Sequence, residues 1–333
     1  MNEFKYCVVI GRFQPFHNGH YEIIKQALSR AEKVLVIIGS HKKAPDVSNP
    51  WFAPEREEII SFALTKEEQA RIDYHYVCDF WYQNNKWVTT VQQVVFDATD
   101  GCEDEKICII GAENYFPQWH FYYQKNIDNM PHATTIRDLY FTHDNGYKNH
   151  VHPKVASYLD NFKTTEKFKL LKHSYDYLKA YHAGWDGAPF RPIFHTVDAV
   201  VIKSGHVLLV RRRGALGKGQ LALPGGFLNQ DETILDGALR ELREETVIKV
   251  SKETLESSIK EEHCFDHPKR SLRGRVITNA FLIDLGKTGL LPAVKGSDDA
   301  EKAQWHPLGE LPSRQEEFFE DHFHILSFFC NKY

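Results

Sequence analysis

Between Lys5 and Asn114 the chain alternates two textures, and that alternation limits its fold more than any other feature. Short apolar runs, "KYCVVI", "VLVIIGS", "RIDYHYVCDF" and "KICIIGAEN", read as strands. Longer segments with helical spacing separate them. "HYEIIKQALSRAEK" carries Ile23, Ile24, Ala27, Leu28 and Ala31 on one face, and "PEREEIISFALTKEE" and "VTTVQQVVFDAT" follow the same logic. A strand apolar at every position, as in "VLVIIGS", has both sides covered. Strand–helix–strand repetition of this kind predicts an α/β fold with a doubly wound parallel sheet.

With 333 residues the chain exceeds what one core usually supports, so two domains are expected. Residues 152–184 read as helical, and "WDGAPFRPIF" then interrupts the pattern with Gly and Pro. After it, "HTVDAVVIKSGHVLLVRRR" reads as a hairpin turning at Ser204-Gly205, followed by further strands and a last helix, "EEFFEDHFHILSFF". The expected organisation is an N-terminal α/β domain over 1–183, a linker over 184–192 and a C-terminal α+β domain over 193–333. A net charge of −4 and a pI near 6.5 provide no field for nucleic acid. No apolar run approaches the ~18–20 residues of a membrane span, and "MNEFKYCVVIG" reads as a first strand rather than a signal peptide. The six cysteines form no CxxC and read as buried free thiols of a cytoplasmic protein.

"GRFQPFHNGH" (11–20) stands between the first strand and the first helix. That place is the carboxyl edge of a strand, where open α/β sheets bind ligands. A helix entrance there offers free N–H groups and a positive dipole end to an anion. Gly11 permits a close turn and Arg12 adds a cationic donor. His17 and His20, three apart, suit one phosphate, a metal pair or two capping side chains. The missing Lys-Ser/Thr pair argues against a P-loop.

The stretch resembles the first signature of the nucleotidyltransferase superfamily, in the form seen in archaeal-type nicotinamide mononucleotide adenylyltransferases. "NPWFAPERE" (49–57) resembles that family's N-P-F-x-x-x-E-R segment. "ATTIRDL" (133–139) resembles its second signature, with Thr135, Ile136 and Arg137 retained and a departure at His132-Ala133. The resemblance, over residues 5–140, implies a Rossmann-like domain. It implies ATP binding by Gly11, Arg12, Phe13, Gln14, His17, His20, Thr135 and Arg137, with His17, His20 and Arg137 catalytic. In "CDFWYQNNKWV" it implies that Asp79 and Trp87, with Asn49, meet nicotinamide mononucleotide. The nucleophile comes from the substrate, so such an enzyme needs positioning and positive donors, with Mg²⁺ accompanying the ATP.

In "PGGFLNQDETILDGALRELREETVI" (224–248), Gly226, Glu232 and Arg240 to Glu245 stand at fixed spacing. "ETILDGALRELREE" reads as an amphipathic helix with Leu235, Ala238, Leu239 and Leu242 on its apolar face. Glu241, Glu244 and Glu245 fall within about 100° beside it. Such crowding suits a hard divalent cation, Mg²⁺ or Mn²⁺, better than a solvated face. The pattern resembles the Nudix box, G-x5-E-x7-R-E-U-x-E-E-x-G-U, in which U is a bulky aliphatic residue. It implies a C-terminal Nudix domain with Gly226, Glu232, Arg240, Glu241, Glu244 and Glu245 as its box, Glu244 and Glu245 catalytic, and the metal on the three glutamates. Arg240 is expected to tie the helix to the loop through Glu232. Val247 replaces the glycine that ends the helix in a left-handed turn, which a β-branched residue resists.

"FDHPKRSLRGRVITNAF" (265–281) resembles the segment of Nudix domains acting on ADP-ribose, which would place Arg270, Arg273 and Arg275 at the ligand; a basic loop against an acidic domain reads equally well. The general base stays open among Glu244, Glu245 and Glu262. Taken whole, the chain resembles bifunctional enzymes that join ATP to nicotinamide mononucleotide, giving NAD, and hydrolyse ADP-ribose to AMP and ribose 5-phosphate. Two rivals remain: another acceptor, such as nicotinate mononucleotide or phosphopantetheine, and a Nudix domain of different specificity or a ligand sensor. The complete carboxylates and the short segment after Trp305 disfavour a sensor. Only small molecules are implied as partners, with no nucleic acid or membrane; homo-oligomerisation is left open.

Overall fold

The computed structural model describes residues 3–124, 132–297 and 300–330. Contacts divide the chain into two compact units, Met1–Lys172 and His173–Tyr333. The division falls inside a helix spanning Glu166–Ala183, ahead of the breaker-rich stretch. Residues 184–192 of that stretch form neither helix nor strand.

The first unit holds a five-stranded sheet of β1 (Phe4–Gly11), β2 (Ala31–His41), β3 (Ile72–Cys78), β4 (Ile107–Gly111) and β5 (His120–Tyr123). The order is β3-β2-β1-β4-β5 and every pairing is parallel. The chain leaves central β1 for β2 on one side and later returns to β4 on the other. The end of β1 is therefore the topological switch point, the place such sheets offer to ligands. Val34 to Ile38 of β2 are 0% exposed, as its unbroken apolar run requires. Full burial of each such side chain contributes about 1.5–3 kcal/mol.

Among the described residues, six helices accompany the strands: α1 (Asn18–Arg30), α2 (Ala53–Ala63), α3 (Lys66–Gln69), α4 (Asn84–Ala98), α5 (Ala133–Phe141) and α6 (Pro153–Phe162). Helix α1 buries Ile23, Ile24, Ala27 and Leu28. It stops short of the expected "AEK", because Ala31 already pairs with Phe4 as the first residue of β2. The helix expected over 54–68 is two. Thr65 accepts from the Glu68 N–H and Glu68 caps Thr65 in return, so a capping box restarts the helix after Leu64.

The second unit begins with α7 (Glu166–Ala183), which crosses the division. Its sheet comprises β6 (Ile193–Lys203), β7 (His206–Arg212), β8 (Leu221–Ala222), β9 (Gly225–Phe227), β10 (Ile259–Phe265), β11 (Arg275–Asp284) and β12 (Ala300–Pro307). The order is β10-β11-β6-β7-β12, with β8 on β7 and β9 on β6, and only β11–β6 is parallel. Ser204 and Gly205 have φ of 47° and 72°, the two left-handed residues that a tight hairpin needs. The remaining helices are α8 (Ile234–Thr246), α9 (Lys252–Ser257) and α10 (His322–Cys330). The last helix starts later than expected. Glu316 and Glu317 belong to a 3-10 segment, Leu308–Glu317, where Arg314 and Arg211 hold Glu317. All six cysteines are free, but only Cys7 and Cys108 are buried, and Cys264 is exposed.

Candidate functional sites

The first site grows from the turn after β1. Phe13 adopts φ 52° and its ring folds back beneath Gly11, where a Cβ would lie 2.8 Å from it. Gly11 is therefore favoured by packing, since a side chain there would displace the Phe13 ring. The Gln14 amide donates to Trp51 O at 2.8 Å and accepts from Trp51 N at 3.2 Å, tying the loop to the Asn49–Glu57 segment. Arg137 donates to Gln14 O at 2.6 Å and to Thr134 Oγ1 at 3.2 Å. Arg56, 1% exposed, donates to Arg12 O, Gly39 O and Ser40 O.

His17 caps α1. Its Nδ1 accepts from Gly19 N at 3.1 Å, and His20 Nδ1 accepts from His17 N at 3.3 Å. Both Nδ1 atoms are acceptors, so the ring protons sit on the Nε2 atoms. The ring centroids are 3.7 Å apart. Burial lowers His17 to about 4, helped by the charges of His132, His150 and Arg137. Burial and then His17 drive His20 well below the usual histidine range. At neutral pH both are uncharged N–H donors, and the fixed positive charge resides on the guanidiniums. Burial, followed by the nearby Arg12 charge, lowers Arg137 to about 10, so it stays cationic. Among the described residues, no carboxylate forms an ion pair with Arg12, Arg56 or Arg137.

A cleft of about 640 Å³ opens here, and Gly11, Arg12, Phe13, His17, His20, Thr134 and Arg137 are among its walls. Gln14 is buried behind it, and Thr135 is exposed on α5 without lining it. Thr134, three residues before Arg137, shares its helix face and is the threonine the sequence reading passed over. Arg56 was also passed over, although "PERE" displays it. Asn49, Asp79 and Trp87 do not line this cleft. Asn49 is 3% exposed with both amide atoms unpartnered, and Asp79 follows β3, its charge acting on Arg56. Trp87 packs on Tyr115 and Phe116, each with ring centroids 6.0 Å away.

The second site is built on α8. Thr233 caps the helix by accepting from Asp236 N. Leu239 and Leu242 are buried, which brings the acidic side against β9. Arg240 binds Glu232 at 2.9 and 2.6 Å, Glu241 at 2.8 Å and Glu244 at 2.9 Å. It thus ties helix to loop as expected and also spans two of the three clustered carboxylates. Glu245 turns inward and accepts from Gly225 N at 3.1 Å. Burial pushes its carboxyl up to about 8; the Gly225 N–H opposes the rise and the Glu241 charge adds to it. A Cβ on Gly226 would lie 2.5 Å from the Glu241 carboxylate, so only glycine lets that carboxylate rest directly against β9.

Among the described residues no three His, Cys, Asp or Glu side chains converge as a ready metal cage. The donor chemistry nevertheless suits a hard cation. Three carboxylates share one helix side, and burial makes one of them hold its proton to about 8, with the Arg212 charge only partly opposing the rise. Val247 does close α8 in the left-handed region, at φ 44° and ψ 35°, with its N–H on Arg243 O.

The three arginines of the basic loop separate. Arg270 is 3% exposed and makes a two-bond pair with Asp321, 3.0 Å at each contact. Arg273 lies 5.1 Å over the Phe227 ring and pairs with Glu320, while Arg275 pairs with Asp266. Phe227, 39% exposed and one residue beyond Gly226, is an aromatic surface that the sequence reading did not single out.

Comparison with known proteins adds three findings. The cytidylyltransferase-like family model matches residues 8–166 and the NUDIX domain model residues 193–328. The chain is 30% identical over 184 residues to the nicotinamide/nicotinic acid mononucleotide adenylyltransferase of Acinetobacter baylyi, covering 53% of this chain and 95% of that protein. It is 33% identical over 116 residues to the ADP-ribose pyrophosphatase of Methanocaldococcus jannaschii, covering 35% of this chain and 63% of that one. A crystal structure of a bifunctional NMN adenylyltransferase/ADP ribose pyrophosphatase from Francisella tularensis, complexed with AMP and a Mn ion, is similar throughout. Its TM-score is 0.94 at 33% identity, with 99% of each chain covered.

Proposed function

The chain belongs to the bifunctional nicotinamide mononucleotide adenylyltransferase/ADP-ribose pyrophosphatase family, and from that premise we propose how its residues divide two reactions. In the first unit, a phosphate oxygen of nicotinamide mononucleotide bonds to the α-phosphorus of ATP. The α–β bridging P–O bond breaks, and NAD and pyrophosphate form. The observation that carries this assignment is a cleft whose guanidiniums lack carboxylate partners and whose histidines both present Nε2–H donors. Arg12 and Arg137 supply fixed charge, His17 and His20 supply directed hydrogen bonds, and the free N–H groups at Thr134 and Thr135 begin α5. Mg²⁺ bound by the ATP phosphates would offset their charge. The unpartnered amide of Asn49 supports a carboxamide-bearing acceptor, with Asp79 and Trp87 on the same side of the reaction. Nicotinate mononucleotide is the second acceptor to test, since the Acinetobacter relative is named for both.

In the second unit, water adds to one phosphorus of ADP-ribose and the P–O–P bridge breaks, giving AMP and ribose 5-phosphate. Glu241, Glu244 and Glu245 would hold a divalent cation, Mg²⁺ or Mn²⁺, which polarises the diphosphate and lowers the pKa of water when bound. Arg240 and Glu232 keep the helix fixed against the loop. Arg273 and Arg275 face the substrate, and Arg270 acts from behind by fixing the segment that carries them. Its composition and the lack, among the described residues, of any helix fit to cross a membrane are compatible with a cytoplasmic enzyme of small molecules. The test is direct. Pure protein with Mg²⁺ is given nicotinamide or nicotinate mononucleotide plus ATP, or ADP-ribose alone, and products are identified by mass. Absence of NAD or of AMP removes the corresponding half of the proposal.

A further inference from the structure

The lead-in to α5 is where this chain departs from its family's second signature, and the departing residue stands at the cleft. His132 is the N-cap of α5, yet its side chain makes no capping bond. It is exposed and lines the cleft with Arg12, His17, Thr134 and Arg137. Among the described residues its ring has no hydrogen-bond, ionic or aromatic partner. After burial, its charge is the largest influence that holds the proton off His17, so the two rings address the same space. His17 and His20 each already use Nδ1 on the backbone, which leaves one donor apiece. His132 has both ring nitrogens uncommitted. It also stands over the free N–H groups that open α5, where an anion is favoured.

We propose that His132 is a further triphosphate-binding residue of the adenylyl-transfer site, donating a ring N–H to the phosphate oxygens that depart as pyrophosphate. The inference rests on the reading of the first unit given above. It makes the departure from the family signature the placement of an imidazole donor on the leaving-group side. The acceptor side, with Asn49 and Trp87, does not involve it.

Full-length protein and its His132→Ala, His132→Ser and His132→Lys variants are compared in steady-state NAD formation. Loss of one charge-assisted hydrogen bond at an exposed position corresponds to about tenfold. His132→Ala is expected to raise the KM for ATP and the inhibition constant of pyrophosphate by that factor. The KM for nicotinamide mononucleotide and the rate of ADP-ribose hydrolysis stay unchanged. His132→Lys recovers most of the loss, and His132→Ser recovers little. Unchanged ATP and pyrophosphate constants in His132→Ala, or an equal rise for both substrates, overturns the proposal alone. A wild type that forms no NAD overturns the site reading and the proposal together.

Discussion

Gly226→Ala isolates one contact and converts it into a measurable loss. The added Cβ would lie 2.5, 2.6 and 2.8 Å from the three atoms of the Glu241 carboxylate group. Ordinary contact begins near 3.5 Å, so the carboxylate must retreat by about 1 Å. The backbone at Gly226 is not left-handed, so alanine adds no strain there. Glu241 can swing outward at the expense of its 2.8 Å bond to Arg240, which keeps Glu232 and Glu244. An ion pair of this exposure contributes about 0–1 kcal/mol, so the denaturation midpoint should barely move. A 1 Å displacement of a group that positions reacting atoms costs about 100-fold in rate. ADP-ribose hydrolysis, followed as AMP release at saturating Mn²⁺, should fall by that factor and match Glu241→Gln. Adenylyl transfer by the same preparation should be unaffected. Hydrolysis within about threefold of wild type would refute the reasoning, because Glu241 would then not be needed where β9 holds it.

His17→Ala should abolish NAD formation and leave ADP-ribose hydrolysis intact; its lost cap on α1 should cost about 1 kcal/mol in the first unit, and loss of both activities from folded protein would contradict two independent sites. The Glu245 carboxyl has a folded pKa of about 8 against an ordinary 4.5, so the fold favours its protonated form. Its stabilising contribution is complete below pH 4.5 and is lost as pH rises through about 8, so metal-free protein should show falling urea midpoints across that range, and Glu245→Gln should flatten the slope. Arg270→Ala removes the two-bond cationic partner of the buried Asp321 charge and should destabilise the second unit by about 3–5 kcal/mol in denaturant titrations. Arg275→Ala should leave the midpoint alone and raise the KM for ADP-ribose; a wild-type midpoint in Arg270→Ala would remove the structural reading of that residue.

The parallel sheet was legible because β1, β2 and β4 are apolar at nearly every position, a pattern that few other environments tolerate. Strand β5, "HFYY", escaped because four residues at a sheet edge carry neither a run nor an alternation. The helix ends at Ala31 and Leu64 were misjudged for a different reason. Strand pairing and a capping box decide them, and neither registers as hydrophobic period. At the sites, fixed spacing carried the Nudix box and the histidines. What spacing could not show is which polar groups turn to the backbone. Arg56 and Gln14 hold the first loop from behind, Arg270 is consumed by Asp321, and Thr134 rather than Thr135 shares the face of Arg137. Val247 reverses the expectation in kind, since a β-branched residue does occupy the left-handed turn. There, the N–H bond to Arg243 O and the burial of flanking Thr246 and Ile248 outweigh an intrinsic cost of about 1–2 kcal/mol.

The backbone carbonyls of Arg12 and Gln14 are both drawn toward buried guanidiniums, and the Gln14 amide fastens the loop to Trp51. Part of the negative charge on each of these oxygens is offset by a guanidinium, which lessens its repulsion of an incoming polyanion. The segment is thus set in its receptive shape before any nucleotide arrives. Association should therefore proceed without a slow ordering phase, and hydrogen exchange in residues 11–20 should be nearly the same with and without ATP.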